Sequence, residues 1–301
     1  MKKSLILGVV CLFVSCFSVA LAQTPAEGEG PPRVLLIVRE DIKPGMMSAH
    51  NRHSAVFANI FGKLKTPNHR IAMIPVAGSE NEVVYLTAAE SFAELERETQ
   101  ETDRKMATTN ASMTAELDRL EKEAPVLHAG MRDMMAVFRP ELSYNPGVNV
   151  AQMRYFAVTT VRVRPGQEDQ YAEYVRTLVN AARDKAKAEI HVAAYQIIAG
   201  MQGTTYMFFR PMKSLAEYDL RVGPRVREAM SDDQKKKADK LAGESVVLNE
   251  TTIYAFNPRM SYLPKEFTAQ DPGFWNPAPE IAAKPKPKKR APKPTTAGAT
   301  Q

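Results

Sequence analysis

Two histidines one helical turn apart, His50 and His53, are the residues of this 301-residue chain whose type and spacing best suit chemistry. They fall in a segment, residues 46–64, whose apolar positions recur at helical spacing, so both occupy neighbouring positions on one helix. His50 shares its stripe with Phe57 and Phe61, and we expect it to face a sheet. Such an imidazole pair could act as a general base or hold a metal ion. The alternative is that both rings fill the core edge and form only local hydrogen bonds.

Tyrosines occupy the matching positions of a second, similar stretch of chain. Three pairs coincide when the sequence is shifted by 121 positions: His50 with Tyr171, His53 with Tyr174, and Tyr85 with Tyr206. A strand tyrosine can point its phenol into a cavity, although tyrosine is also favoured in strands for packing alone. All six residues are therefore candidates for ligand binding, and His50, His53 and Tyr85 are also catalytic candidates. A purely structural role stays open for each.

His128 lies close to several methionines, a combination that soft metals such as copper favour. The neighbouring residues are Met131, Met134 and Met135. Consecutive strand residues point to opposite faces, and methionine is a common filler of cores. We therefore predict no metal site, with His128 as a weak candidate ligand.

Several motifs that carry known chemistry are missing from the sequence. It contains no glycine-rich phosphate loop, no Gly-x-Ser-x-Gly elbow, no His-Glu-x-x-His and no telling carboxylate pair. We predict no cofactor.

The N-terminus has the pattern of a secretory signal. Two lysines precede an apolar run, residues 5–20, and Ala20-Leu21-Ala22 supplies small residues for cleavage. The run is short for an uncleaved membrane anchor. Cys11 and Cys16 lie inside it, so the mature chain has no disulfide and no thiolate chemistry. We predict a signal peptide over residues 1–22 and a periplasmic or secreted protein.

Positive charge is concentrated at the C-terminus. Six cations and no acid occur in residues 281–301: Lys284, Lys286, Lys288, Lys289, Arg290 and Lys293. Without these six and the two lysines of the signal, the net charge of +6 becomes −2 for residues 23–280. We therefore predict no nucleic-acid binding by the folded part. The proline-rich tail is predicted to be disordered, and residues 284–293 could lie along an anionic envelope surface. A tail that only solubilises the protein is the alternative.

A nine-residue segment occurs twice and divides the chain. Phe138–Pro146 and Phe256–Pro264 share Phe, Pro, Ser, Tyr and Pro in register. Each closes a stretch predicted as strand–helix–strand–strand–helix–strand, residues 33–146 and 154–264. The remaining segments are a disordered leader (23–32), an irregular arm (265–280) and the tail.

Helices are predicted at residues 46–64, 91–122 and 168–187. Another is predicted to begin near Ser214, break at Gly223-Pro224 and resume to about Leu241.

The sequence resembles the dimeric α+β barrel superfamily, which includes antibiotic-biosynthesis-monooxygenase-like and NIPSNAP-like proteins. The resemblance rests on the element order, on the Pro-Gly turns at residues 44–45 and 165–166, and on the duplicated ending. This resemblance implies an α+β fold: two tandem ferredoxin-like βαββαβ units forming an intramolecular dimeric α+β barrel, with the sheets covering each other. It also implies a ligand cavity between helices and sheet. Haem-degrading members use an Asn, Trp and His set, and the sole tryptophan, Trp275, lies outside both units. That departure argues against haem degradation.

Three functions from different classes stay open. The first is binding of a small, largely apolar organic ligand between helices and sheet. The second is a cofactor-independent monooxygenase or isomerase, with its base from His50 or His53 and Tyr85 as the orienting phenol. The third is an envelope scaffold anchored by its basic tail. Pairing with a second copy as a homodimer is also open. A pocket lined by His50, His53 and Tyr85 would favour the first two functions.

Overall fold

A closed antiparallel barrel forms the centre of the protein. The computed structural model describes residues 30–277; the predicted signal peptide, most of the leader and the basic tail lie outside the described residues. The strands are β1 (Val34–Ile42), β2 (Ile71–Ala77), β3 (Glu82–Ala89), β4 (His128–Phe138), β5 (Tyr155–Val163), β6 (Ala193–Ala199), β7 (Thr204–Met212) and β8 (Val246–Phe256). Within the described residues they pair antiparallel in the cyclic order β1-β3-β2-β8-β5-β7-β6-β4.

Helices cover the outside of this barrel. They are α1 (Met47–Leu64), α2 (Phe92–Ala107), α3 (Ala111–Leu127), α4 (Glu168–Glu173), a π-helical turn (Tyr174–Asn180), α5 (Ala181–Lys185), α6 (Val222–Glu228), α7 (Asp232–Ser245), α8 (Lys265–Thr268) and α9 (Pro272–Trp275). The α+β class predicted from the sequence is confirmed. Among residues 30–277, no helix has both the length and the apolar character that a membrane span requires.

The strand order is the same in the two halves of the barrel. It reads β4-β1-β3-β2 in the first half and β8-β5-β7-β6 in the second. The halves meet where β2 pairs with β8 and where β4 pairs with β6. The sequence analysis expected two sheets covering each other; here their edge strands also pair, so one continuous sheet encloses its own apolar face. This arrangement leaves neither half with an unpaired edge strand.

Alternation along the strands fills the barrel interior. Leu35 and Ile37 of β1 point inward, as do Val84 and Leu86 of β3, and all four belong to the largest buried cluster. Their neighbours face outward: Val34 and Leu36 pack with Leu95 of α2. Apolar side chains of β1 are thus buried or half-buried on both faces of the sheet. The outward face of the sheet is therefore where side chains from helices and strands meet.

The long helix predicted at residues 91–122 is two helices. Thr108, Thr109 and Asn110 separate α2 from α3, and the Asn110 side chain accepts a hydrogen bond of 3.0 Å from the Met113 amide. Threonine and asparagine are weak helix formers, and asparagine is a strong N-cap. The capping bond therefore starts a new helix where apolar spacing alone suggested continuity.

The helices of the second half also differ from the prediction. The segment 168–187 contains the π-helical turn between α4 and α5. Gly223-Pro224 does not break a helix but lies in the first turn of α6, where proline costs no hydrogen bond. The first break falls instead at Arg221, which has a left-handed backbone (φ 48°) between a 3-10 helix, Leu215–Leu220, and α6. A second break, at residues 229–231, separates α6 from α7, which begins with a capping box between Ser231 and Gln234.

Candidate functional site

Helix α1 carries His50 against the outer face of the first half. Its buried face comprises His50, His53, Ser54, Ala58, Ile60 and Phe61. His50 is fully buried, and its Nε2 donates a hydrogen bond of 2.7 Å to Oε2 of Glu40 on β1. The predicted orientation of His50 toward the sheet is the observed one. A carboxylate that the sequence analysis did not single out completes the contact.

His128 approaches the same carboxylate from the start of β4. Its Nε2 lies 3.4 Å from Oε2 of Glu40, and its ring centroid lies 5.1 Å from that of His50. The other ring nitrogen, Nδ1, donates a hydrogen bond of 2.8 Å to the carbonyl of Ala124 in α3. Ligand atoms of Glu40, His50 and His128 all lie within 4.8 Å of one another. Strand β1, the helix α1 that follows it, and the distant strand β4 thus bring two imidazoles to one carboxylate.

Burial and charge act in opposite directions on Glu40. Burial alone would raise the pKa of this carboxyl, but the hydrogen bond from His50 and the nearby charges of His50, His128 and Arg70 together lower it. Glu40 is therefore ionised at neutral pH.

Tyr85 lies beside this group and is held by Ser54. The Tyr85 hydroxyl donates a hydrogen bond of 2.8 Å to Ser54 Oγ, which lies 3.3 Å from Nε2 of His50. The guanidinium of Arg70 lies over the Tyr85 ring at 4.6 Å and over the Phe61 ring at 4.7 Å. Burial raises the pKa of Tyr85, so its phenol stays protonated and acts as a donor.

His53 has a different environment from His50. Its Nε2 donates a hydrogen bond of 2.9 Å to the carbonyl of Leu120 in α3. It lines a surface cleft of about 540 Å³ between α1 and α3, whose lining includes neither His50 nor Tyr85. The three predicted catalytic candidates are neighbours, but they do not share this cleft.

The tyrosines of the second half form a stacked cluster. The Tyr171 ring stacks on Tyr206 at 5.5 Å and lies 6.0 Å from Tyr174. Burial raises the pKa of all three phenols. Tyr171 and Tyr174 line a cleft of about 350 Å³ between α4, the π-helical turn and the sheet. The 121-position shift within the chain thus identified three tyrosines that the fold does bring together.

A larger cleft of about 660 Å³ adjoins it, and we call this the arginine cleft. It lies between the outward faces of β5, β7 and β8 and the segment from the π-helical turn to α6. Thr159, Val179, Arg183 and Phe208 line both clefts. Arg210 and Arg221 line the arginine cleft as well, with Glu217 as its one acidic lining residue. Three cations and one carboxylate give this cleft a positive lining.

The two arginines nearest the sheet are only partly neutralised. Burial lowers the pKa of Arg183, whose Nη1 donates 2.8 Å to Asn180 Oδ1. In Arg210, both Nε and Nη2 are buried and have no hydrogen-bond partner within residues 30–277. Glu217 Oε2 lies 3.7 Å from this Nη2, too far for a hydrogen bond. The Nε–Nη2 edge of Arg210 therefore has an ion-pair partner in Glu217 but no hydrogen-bond acceptor among the described residues.

A third cavity lies at one end of the barrel interior. Its volume is about 320 Å³, and apolar side chains such as Phe156, Phe209 and Phe267 dominate its lining. Trp275 seals this end nearby: it is 4% exposed and its Nε1 donates 2.7 Å to the Ala151 carbonyl. The segment predicted as an irregular arm contains the short helices α8 and α9 within its described residues, 265–277.

The methionines near His128 do not converge on it. Met134 points into the barrel core, whereas Met131 and Met135 are exposed on the outer surface. Sequence reasoning missed Glu40, Arg183 and Arg210. Glu40 lies among the polar residues near the end of β1, and alternation along that strand turns its side chain outward. The arginines carry no motif and meet only through the fold.

Comparisons with known proteins identify no close relative. No protein-family model and no curated protein match the sequence. Among solved structures, an anthrone oxidase-like protein is similar over 75% of this chain and 92% of its own, with 8% identity and a TM-score of 0.48. A mutant chlorite dismutase from Candidatus Nitrospira defluvii in complex with cyanide is similar over 76% and 92%, with 10% identity and a TM-score of 0.45. Similarity this low assigns no activity to this chain.

Proposed function

We propose that the protein binds a small organic anion with an apolar body in the arginine cleft. The observation that carries this proposal is the buried Nε–Nη2 edge of Arg210, which has no hydrogen-bond partner within the described residues. Leaving buried donors unpaired is costly, and more so when they are charged. That edge has the fork geometry that receives a carboxylate or sulfonate through two parallel hydrogen bonds.

The rest of the cleft suits an apolar body. Val179, Ile190, Val192 and Phe208 are among its lining residues, and its volume of about 660 Å³ lies in the range of small-molecule sites. Arg183 supplies a second positive charge in the same cleft. The sequence predicted a largely apolar ligand between helices and sheet. The ligand proposed here has an anionic group in addition to the apolar body.

The lining residues favour binding rather than turnover. They include no histidine, and Glu217 is their one carboxylate. Glu217 accepts a hydrogen bond of 2.7 Å from the Lys213 amide, which ties it to the 3-10 helix that follows. A general base requires an unengaged group facing the substrate. We therefore propose a binding or sensing protein rather than an oxygenase or isomerase.

A pair of matched dyes tests this proposal. 8-Anilinonaphthalene-1-sulfonate carries an anionic group on an apolar body, and N-phenyl-1-naphthylamine has the same body without the charge. We expect Arg210→Met to raise the Kd of the anionic dye by about 10-fold or more, since a hydrogen bond to a charged group contributes about 1.5–3 kcal/mol. The Kd of the neutral dye should change by less than about 2-fold. Fluorescence titration measures both.

Arg176→Met is the control for the same chemical change, because Arg176 lies on the π-helical turn beside the arginine cleft but is exposed and is not one of its lining residues. This variant should bind both dyes as the unmodified protein does. Equal weakening of both dyes by Arg210→Met, or undiminished binding of the anionic dye, would refute the proposal; the second result would place the dye elsewhere, for example in the barrel-end cavity. Native mass spectrometry of the protein from its own source would then identify any co-purifying acid.

The strand order supports a further proposal, that the chain belongs to the dimeric α+β barrel superfamily. Export, tail anchoring at an envelope surface and homodimer formation stay predictions, the first two based on residues 1–22 and 284–293 outside the described part of the chain.

A further inference from the structure

We propose that Glu40, His50 and His128 form a binding site for a divalent transition-metal ion, with Zn²⁺ as the reference ion. The site lies on the first half of the barrel and does not depend on the arginine cleft. Its ligand atoms lie within 4.8 Å of one another. Two imidazole nitrogens and one carboxylate oxygen form a ligand set that binds zinc or ferrous iron in proteins.

The orientation of His128 carries the inference. Its Nδ1–H donates to the Ala124 carbonyl at 2.8 Å, so in the neutral ring Nε2 bears a lone pair. This Nε2 is buried, has no hydrogen-bond partner among residues 30–277, and lies 3.4 Å from Oε2 of Glu40. A nitrogen lone pair that faces the lone pairs of a carboxylate oxygen is repelled by them. A cation shared by the two atoms turns that repulsion into attraction.

The spacing of the three ligand atoms suits a small ion. Bonds of about 2.0–2.1 Å in tetrahedral geometry hold two ligand atoms roughly 3.3 Å apart. The Glu40–His128 distance of 3.4 Å already matches this value, and the Glu40–His50 distance of 2.7 Å is shorter. A sub-ångström outward movement of His50 would accommodate the ion, with the ring carrying its proton on Nδ1 so that Nε2 presents a lone pair to the metal.

The surroundings hold the ligands in place and leave one position open. The Ala124 carbonyl fixes the tautomer of His128, as second-shell acceptors do for metal-bound histidines. The side chains of Glu40 and His128 are 16% and 18% exposed, so ions can reach the site from their side. Three protein ligands leave a fourth position for water or an exogenous ligand. The positive charge of Arg70 opposes the ion. The guanidinium of Arg70 is held over the ring faces of Phe61 and Tyr85.

Two titrations of the metal-free full-length protein test the site. Zn²⁺ binding is measured by calorimetry, and Co²⁺ binding is measured by visible absorption. We expect one ion per chain and the intense d–d bands of low-symmetry Co²⁺. Glu40→Gln and His128→Gln should each weaken Zn²⁺ binding by more than about 100-fold, because even second-shell changes cost about 10- to 100-fold. His53→Gln is the matched control: its ring centroid lies 6.3 Å from that of His128, but its Nε2 is bonded to Leu120. This variant should bind as before.

A measurement on the unmodified protein keeps the test decisive if a variant fails to fold. In long-range ¹H–¹⁵N spectra, Zn²⁺ should shift the Nε2 resonances of His50 and His128 and leave His53 unchanged. No binding at 100 µM Zn²⁺, or equal binding by Glu40→Gln, would overturn the proposal. A His128 ring protonated on both nitrogens at neutral pH and unchanged by Zn²⁺ would also overturn it, because a proton would then be the cation between the two residues.

Discussion

Buried polar side chains define what this barrel can do, because each one must find a partner inside an apolar structure. Glu82 is the clearest case within the barrel. It precedes Val84 and Leu86 on the inward face of β3 and is 3% exposed. Its Oε2 lies 2.6 Å from Nη2 of Arg39, and its Oε1 accepts a hydrogen bond from the Tyr254 hydroxyl. Glu82 thus supplies the acceptor for the buried Tyr254 phenol and pairs with Arg39, which also lies 3.4 Å from Asp41.

Removing the Glu82 carboxylate should destabilise the protein, because the Tyr254 hydroxyl then has no acceptor for its hydrogen bond. We expect Glu82→Leu to lower the free energy of unfolding by about 3 kcal/mol, because the buried phenol loses its acceptor. Arg39 is 42% exposed and can turn to water, so it adds little to this loss. Urea denaturation measures the change.

A second substitution tests this explanation, because its effect on stability should change direction between the two backgrounds. Tyr254→Phe should destabilise the unmodified protein but should stabilise Glu82→Leu by about 1 kcal/mol, since it removes the unpaired hydroxyl. Strictly additive losses in the double variant would contradict the coupling.

At this scale the sequence located some site residues and missed others for a physical reason. Spacing of three along one helix was enough to place His50 and His53 side by side, since helical geometry is local. The partners of His50 come from β1 and from β4, 10 positions before it and 78 positions after it. Which strand residue faces which helix residue depends on the barrel register, which no local pattern specifies.

At the scale of elements, strand positions were easier to predict than helix interruptions. The duplicated segments Phe138–Pro146 and Phe256–Pro264 were predicted to close the two units, and β4 and β8 end at Phe138 and Phe256, the first residues of those segments. The breaks at Asn110 and Arg221 follow from one cap and one left-handed residue. Single-residue effects of this kind compete with a periodicity that extends over many residues, so periodicity alone predicts continuous helices.

Helix α2 carries an unfavourable arrangement of carboxylates. Removing one of these charges should raise stability in a pH-dependent way. Burial raises the pKa of Glu98, the Glu94 carboxylate raises it further, and Arg97 opposes them. A raised carboxyl pKa in the folded state means that stability is lost as pH rises above about 4.5. Glu98→Gln should therefore raise the melting temperature at pH 7 by about 1 °C, the effect of one like-charge pair on a helix. The gain should vanish below about pH 4, where Glu98 is protonated in both states.

Glu96→Gln provides the comparison for calorimetry at both pH values. Glu96 lies on the same helix and is exposed, and its Oε1 accepts a hydrogen bond from Gln100. It should show no stabilisation at pH 7. A gain for Glu98→Gln that persists unchanged at pH 4 would rule out the electrostatic explanation.

At the scale of the whole molecule, barrel closure separates two functional surfaces while joining them mechanically. The histidine–glutamate group lies under α1 and α3 on one half, and the arginine cleft lies under the helices of the other. Pairing of β2 with β8 and of β4 with β6 links the halves through their backbones. At the second junction Gly200 directly follows β6, and a Cβ atom there would lie 2.1 Å from the Asp133 carbonyl oxygen. Only glycine permits that approach.

We therefore expect the barrel to unfold in urea as one cooperative unit. Trp275 is the only tryptophan, and it packs on Phe256, Phe267 and Phe274 at one barrel end, so its fluorescence reports the opening of that end. Far-UV circular dichroism reports the strands and helices of both halves. Because neither half can separate without breaking both strand junctions, the two signals should give the same midpoint and the same slope. Zn²⁺ binding in the first half should shift both midpoints equally, since a ligand that binds only the folded state stabilises the whole unit. A dichroism transition that begins before the fluorescence changes, or a Zn²⁺ shift seen by one signal alone, would mean that the halves unfold separately despite the closed barrel.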